Sequence, residues 1–470
     1  MLLNDSPARP TEGTRIGGSP PRGSRPGTTG TTPWRRLAVA LVVAIAFGLL
    51  LGRFALAGRD DRTASTPAPA PAESRSAEGR ITSLQAQLRS DADNPVLLTS
   101  LADAYLVRAR ETADPTYFDK ADQALERSRA LAPGDVATLT SSAFLDLARH
   151  DFDRALERGA RAHELNPDAP DPLAAMFDAY IELGRYDEAT STVDEMLRRR
   201  PALASYARLS YLRELRGDTE GAIDAMTQAV EAGAGSPGDR AYVETLLGDL
   251  RLGQGDLEGA EAAYARSKRN RAEYGPAEVG LARVAAARGD LRDAVTLLRK
   301  NVTRLPLPAT AALLGDVLHA AGQPADAARQ YELVRTIEAL NRGSGVVVDL
   351  ELARFEADHL GDPGANLDTT VAQAQAALAA RPTIFAADTL GWALRGAGRP
   401  SEALPHALAA TRLGTEDALL WYHLAVVEAD LGRTADARQH LTKALHLNSH
   451  LTVRDLPAAS ALAERLGLSL

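Results

Sequence analysis

An eight-residue shape recurs along the chain and sets its period. It reads ELGRYDEA at residues 182–189 and returns as ARHDFDRA (148–155), LRGDTEGA (215–222), GQGDLEGA (253–260), ARGDLRDA (287–294), AAGQPADA (320–327), GAGRPSEA (396–403) and DLGRTADA (430–437). The closing alanines, at 155, 189, 222, 260, 294, 327, 403 and 437, are separated by 34, 33, 38, 34, 33, 76 and 34 residues. Ala121 extends that column 34 residues upstream, and Pro133, Pro167 and Pro201 form a second column at the same period. A fixed period of this size describes a string of supersecondary units, each burying its apolar face against the next. The gap of 76 holds a degenerate unit near 345–382, which carries the insert LGDPGANLD.

Within one period the pattern is two amphipathic helices. Leu173, Met176, Phe177 and Tyr180 recur at i, i+3, i+4 and i+7 and so share one helical face. Gly184 supplies the left-handed residue that ends this helix, and RYDEATSTVDEMLRRR continues as a second helix with Ala189, Val193 and Met196 on one face. Pro201 closes the pair. The small Ala of each octet is expected where the second helix crosses the first. His150 stands at the Gly position of its octet, and His tolerates left-handed backbone better than most residues. Acid pairs such as Asp187 and Glu188 recur with the register and are helix-start charges, favourable towards the helix dipole. The octet is therefore a hinge between two helices rather than a ligand loop.

Leu101, Ala102 and Tyr105; Leu247 and Gly248; Leu314 and Gly315; Leu390 and Gly391; and Leu424 and Ala425 repeat one first-helix signature, while Tyr264 and Tyr331 repeat a second-helix aromatic. With the Gly, Ala and Pro columns, these residues resemble the tetratricopeptide repeat family. The resemblance implies an all-α fold, a right-handed superhelical solenoid of about ten helix-turn-helix repeats over residues 81–450, and a C-terminal capping helix within 451–470. It also implies a concave groove, lined by first helices, that binds protein partners or peptide segments. Counting two residues past each signature position gives the candidate lining as Asp103, Phe144, Asp178, Tyr211, Asp249, Arg283, Asp316, Trp392 and Val426. Acids and aromatics dominate that column, which favours an extended segment with basic and apolar side chains. The same residues also fit a solvated face and ordinary packing. The Asn and basic set with which some family members clamp a terminal carboxylate is missing.

Upstream of the repeats, Leu37–Gly52 is an unbroken run of apolar residues and Gly, followed by Arg53 and five more such residues to Gly58. Residues 37–57 predict one transmembrane helix, with Arg53 snorkelling to the interface. Residues 1–36 hold six Arg and two acids, so the positive-inside rule puts this Pro/Gly/Ser/Thr-rich, disordered tail in the cytoplasm and the repeats outside it. Residues 58–80 form a Pro/Ala-rich linker. Ala55–Ala57 and Arg35–Arg36 also fit a cleaved export signal, which would leave a secreted or periplasmic adaptor. Either reading places the repeats outside the cytoplasm.

Composition removes several classes of function. The absence of Cys excludes disulfides, thiolate metal sites and a cysteine nucleophile. Residues 63–470 hold 44 basic and 58 acidic residues, an acidic body unsuited to nucleic acid. No phosphate-binding loop, GxSxG, HExxH or calcium-loop pattern occurs, and neither a catalytic site, a cofactor nor a small-molecule substrate is expected. His446 and His450 are four apart, but Asn448 and Ser449 fall where the second helix ends, so they read as surface histidines rather than metal ligands. The function expected is that of a membrane-anchored, non-catalytic scaffold, assisting assembly of envelope proteins.

Overall fold

The computed structural model describes residues 76–233, 235–347, 349–361 and 366–468. The chain divides into two units, Met1–Ala40 and Leu41–Leu470, and the described residues belong to the second. The expected cytoplasmic tail, the transmembrane helix at 37–57 and all but the last residues of the 58–80 linker lie outside them. Among the described residues no helix is long and apolar enough to cross a membrane.

These residues form helices and no strand. The first is α1 (Ala77–Ser90), which takes up the end of the expected linker. Five antiparallel pairs follow: α2 (Pro95–Thr112) with α3 (Thr116–Leu131), α4 (Val136–Ala148) with α5 (Phe152–Leu165), α6 (Pro170–Glu182) with α7 (Tyr186–Arg199), α8 (Leu203–Leu215) with α9 (Thr219–Ala232), and α10 (Pro237–Gly253) with α11 (Leu257–Asn270). Five more are α12 (Gly275–Ala287) with α13 (Leu291–Arg304), α14 (Pro308–Ala320) with α15 (Pro324–Gly343), α16 (Asp349–Asp358) with α17 (Leu367–Ala380), α18 (Ile384–Gly396) with α19 (Pro400–Ala410), and α20 (Ala418–Asp430) with α21 (Thr434–Leu447). A last helix, α22 (Leu456–Arg465), packs on α21.

The octets do what their chemistry dictates. Gly184 has φ +66° and His150 φ +61°, both left-handed, so each ends a first helix. In three octets the Asp after the turn caps the second helix: Asp151, Asp218 and Asp256 accept the backbone N–H of Arg154, Gly221 and Gly259. The octet alanines are all at most 1% exposed, as a helix crossing with no room for a larger side chain requires. In the degenerate unit Thr370 fills that slot, 43 residues after Ala327 and 33 before Ala403, and is also 1% exposed. The extra residues go into α15, which runs 20 residues where its counterpart α13 runs 14, and into the link 359–366, eight residues where 321–323 takes three.

The array also closes on itself. The turn inside one pair meets the link between two pairs almost 200 residues later, at four successive places. His150 Nδ1 lies 2.6 Å from the Val347 carbonyl. Arg381 bridges Glu182 and Glu351, and Tyr186 Oη accepts the Ile384 N–H at 3.1 Å. Thr219 donates to Glu416 at 2.7 Å, and the Thr415 hydroxyl to the Leu215 carbonyl at 2.5 Å. Asn448 donates to the carbonyls of Leu252 and Gly253. One turn of the coil is thus seated on the next, and the helix-ending turns form the seam.

At Gly184 the seam adds a second demand to positive φ: a Cβ there would overlap the Pro382 carbonyl, whereas at Gly322, with φ +73°, a Cβ would meet nothing. Gly322→Ala should cost about 1 kcal/mol from backbone strain alone. Gly184→Ala should cost about 1–3 kcal/mol more and speed amide exchange at residues 381–384, as read by denaturant titration and hydrogen exchange. Equal costs at the two positions would mean the seam does not form.

Candidate functional site

First helices line the inside of the coil, and the candidate residues divide there by depth. Asp103, Phe144, Asp178 and Val426 are buried at 9%, 3%, 0% and 6% exposure, and none of them forms a contact surface in this structure. Asp178 forms a two-pronged pair with Arg208 of the next first helix, at 2.9 and 2.6 Å, both side chains at zero exposure. Tyr211, Asp249, Asp316 and Trp392 are partly exposed and Arg283 is exposed.

Each of these five is held by neighbours. Asp249 accepts the Tyr264 hydroxyl at 2.7 Å and an Arg283 N–H at 2.9 Å. Asp316 accepts the Tyr331 hydroxyl at 2.9 Å and lies 3.0 Å from His359 Nε2 and 3.7 Å from Arg454. Trp392 stacks on His423 with centroids 3.9 Å apart, Arg395 lies over its indole, and His423 Nδ1 faces Asp388 at 3.0 Å. Tyr211 lines a crevice at the seam with Glu182, Arg354, Arg381, Thr383 and Phe385. Of the expected acids and aromatics, Asp249, Asp316 and Trp392 have polar or stacking partners within the chain.

Those partners were missed because the column was read for residue type and not for sign along the period. Arg208 follows Asp178 by 30 residues, Arg283 follows Asp249 by 34, His423 follows Asp388 by 35, and Asp430, which pairs with Arg395, follows it by 35. A search for opposite charges one repeat apart would have found this ladder. The Tyr-to-Asp bonds span 15 residues within a repeat and were equally legible.

Asp249 and Arg283 keep 41% and 44% of their side-chain surface, yet burial among neighbouring residues leads the causes acting on both. Asp249 is raised by burial against the pull of Arg283 and Tyr264. Burial raises Glu214 to about 8, with the carboxylates of Asp417 and Asp249 adding to it. Burial likewise lifts Asp358 to about 6.

Two predictions separate the buried ladder from the wall. Asp178→Ala strands a fully buried Arg208 and should cost about 3–5 kcal/mol in thermal or urea unfolding, whereas Asp249→Ala leaves a half-exposed Arg283 and should cost under about 1 kcal/mol. For Glu214 the folded value lies above the unfolded one, so the unfolded chain holds fewer protons and stability falls as pH rises from about 4.5 towards 8. Glu214→Gln should therefore stabilise by about 1–3 kcal/mol at pH 8, with the gain shrinking to nothing near pH 4, when melting is followed across that range. A gain independent of pH would disprove the assignment.

Comparison with known families finds tetratricopeptide repeat profiles at residues 146–210 and 389–452. Among solved structures, a thermophilic TPR protein of Thermus thermophilus is 21% identical over 36% of this chain and 91% of its own, with TM-score 0.34. Yeast Tom70 is 13% identical over 79% and 95%, with TM-score 0.35. The human IFIT1 dimer with PPP-AAAA is 14% identical over 72% and 78%, with TM-score 0.45. No curated protein sequence matches the chain. Residues 146–210 and 389–452 therefore carry tetratricopeptide repeats, within an array of ten helix pairs among the described residues.

Proposed function

We propose that this chain is a non-catalytic adaptor that binds extended protein segments along the inner wall of its coil. The observation that carries the reading is the set of partly exposed first-helix side chains on successive repeats, Tyr211, Asp249, Arg283, Asp316 and Trp392, among which acids and aromatics dominate, with Asp249 and Asp417 both raising Glu214. A segment with basic and apolar side chains complements that wall in charge. Residues 37–57 would hold the array at a membrane with the repeats outside the cytoplasm, where assembly of envelope proteins is the narrower role. Support for that part is the apolar run and the Arg bias before it.

The chain's lack of Cys makes a site-specific test direct. Tyr211→Cys, carrying a photo-crosslinker, should capture in the membrane fraction a set of proteins that the same label at Glu258, exposed on the second helix α11, does not. Identical adducts from both positions, or none from residue 211, would sink the inner-wall reading. Intact mass of the same protein addresses the anchor separately: loss of residues 1–57 would remove that part and leave the binding part standing.

A further inference from the structure

A crevice opens at the seam, where the turn after α6 meets α16 and α18. Ile181, Glu182 and Tyr186, with Tyr211 and Leu215 of α8, form one wall, and residues of α16 and the start of α18 form the other. Its volume is about 480 Å³, with the open solvent at its mouth included, a size at which small ligands are held. Ile181, Leu215, Leu350 and Phe385 give it an apolar side.

Its polar groups leave several bonds unmade. Arg381 gives its two Nη groups to Glu182 and Glu351, yet its buried Nε has no hydrogen-bond partner among the described residues, and neither has the buried Oε2 of Glu351. Arg354 stands one helical turn after Glu351, the spacing at which opposite charges on a helix normally pair. Here Glu351 turns to Arg381 instead, and among the described residues Arg354 makes no hydrogen bond or ion pair. The Tyr211 hydroxyl, which lines the same crevice, is also unpartnered among them. Buried polar groups are ordinarily bonded, because leaving one unmade forfeits its hydration.

The signs of these groups select what complements them. Burial pushes the Glu351 carboxyl up, but His150 and Arg381 together overcome it and hold the group below its usual range, so it is ionised. An anion would meet Arg354, but also the carboxylates of Glu182 and Glu351 on the walls and those of Asp358 and Asp417, on which Arg354 already acts. A cation would meet Arg354 itself. A zwitterion is opposed by neither: an ammonium donates to Glu351 Oε2, and a carboxylate suits the fork of Arg354 and the Tyr211 hydroxyl.

We propose that this crevice binds a free α-amino acid with an apolar side chain, its carboxylate on Arg354 and Tyr211, its ammonium on Glu351 and its side chain against Leu215 and Phe385. The occupant touches both turns of the coil and so holds the seam closed. This goes beyond the adaptor reading and does not depend on it.

Equilibrium dialysis of the full chain against radiolabelled L-leucine tests the site. Unlabelled L-leucine should displace the label at concentrations at least about tenfold lower than glycine, N-acetyl-L-leucine or L-leucinamide, which lack the side chain, the ammonium and the carboxylate in turn. Arg354→Ala should weaken binding at least about tenfold, while its helical circular dichroism and its melting without leucine stay close to wild type. No retained label at millimolar leucine, or undiminished binding by Arg354→Ala, would overturn the proposal. So would displacement by N-acetyl-L-leucine as effective as by leucine, which would leave a carboxylate site only. Should Arg354→Ala unfold, wild type supplies the second reading: leucine should slow amide exchange at 381–385, and unchanged exchange there would overturn the proposal equally. Each of these outcomes leaves the Tyr211 cross-links to judge the adaptor reading on their own.

Discussion

Arg381 sits between Glu182 and Glu351, joining the turn after α6 to helices almost two hundred residues further on. A buried group of this kind adds little net stability over apolar packing of the same shape, because three charges leave water to make it. What it supplies is discrimination. A coil seated one repeat out of place would bury Glu182 without its cation, at a cost of several kcal/mol. The flanking contacts, Tyr186 with Ile384 and Gly184 against Pro382, act in the same sense, since neither tolerates a shift. Nearest-neighbour packing of helix pairs builds the array. The seam then fixes how far the array coils, and the interior follows from that.

Closure changes the chemistry of the inner wall. On an open groove Asp249 and Arg283 would be a solvated pair, worth little and screened by salt. Here burial leads the causes acting on both, and Asp417, brought beside Glu214 by the seam, adds with Asp249 to the rise of that carboxyl. The wall therefore resists accumulating further negative charge and gains from a positive side chain. The fold's periodicity and the electrostatics of its interior are consequences of one geometry rather than separate features.

The octets made the fold legible because their positions answer local rules. A left-handed residue ends the first helix, a carboxylate starts the second, and an Ala marks the crossing, and each rule depends on a few neighbouring residues. The candidate lining was legible only in part. Counting two residues past the signature finds the right helices but not depth, so it groups Asp178, which has no exposure, with Asp249, which has a good deal. Depth depends on what the next repeat brings, and Arg208 lies thirty residues away. The seam was not legible at all. Its partners are almost two hundred residues apart, set by the coiling of the whole array, and no single period encodes that coiling. ELGRYDEA was correctly a hinge, yet Glu182, Gly184 and Tyr186 within it are also the middle of the seam.

The degenerate unit ties these strands together. Its irregularity lengthens α15, puts Thr370 in the alanine slot and places His359 where the charge ladder continues. Each change is small in packing terms, since Thr370 is buried as its alanine counterparts are. The charge ladder survives it: the alanine slot moves by 43 residues, His359 moves with it, and its Nε2 lies 3.0 Å from Asp316 where Arg283 lies against Asp249 in the regular repeats. Arg454 of the eight-residue C-terminal link adds a longer contact to the same carboxylate. A repeat that departs from its period in length thus keeps its period in chemistry, because a pair between neighbouring first helices depends on structural register and not on residue count.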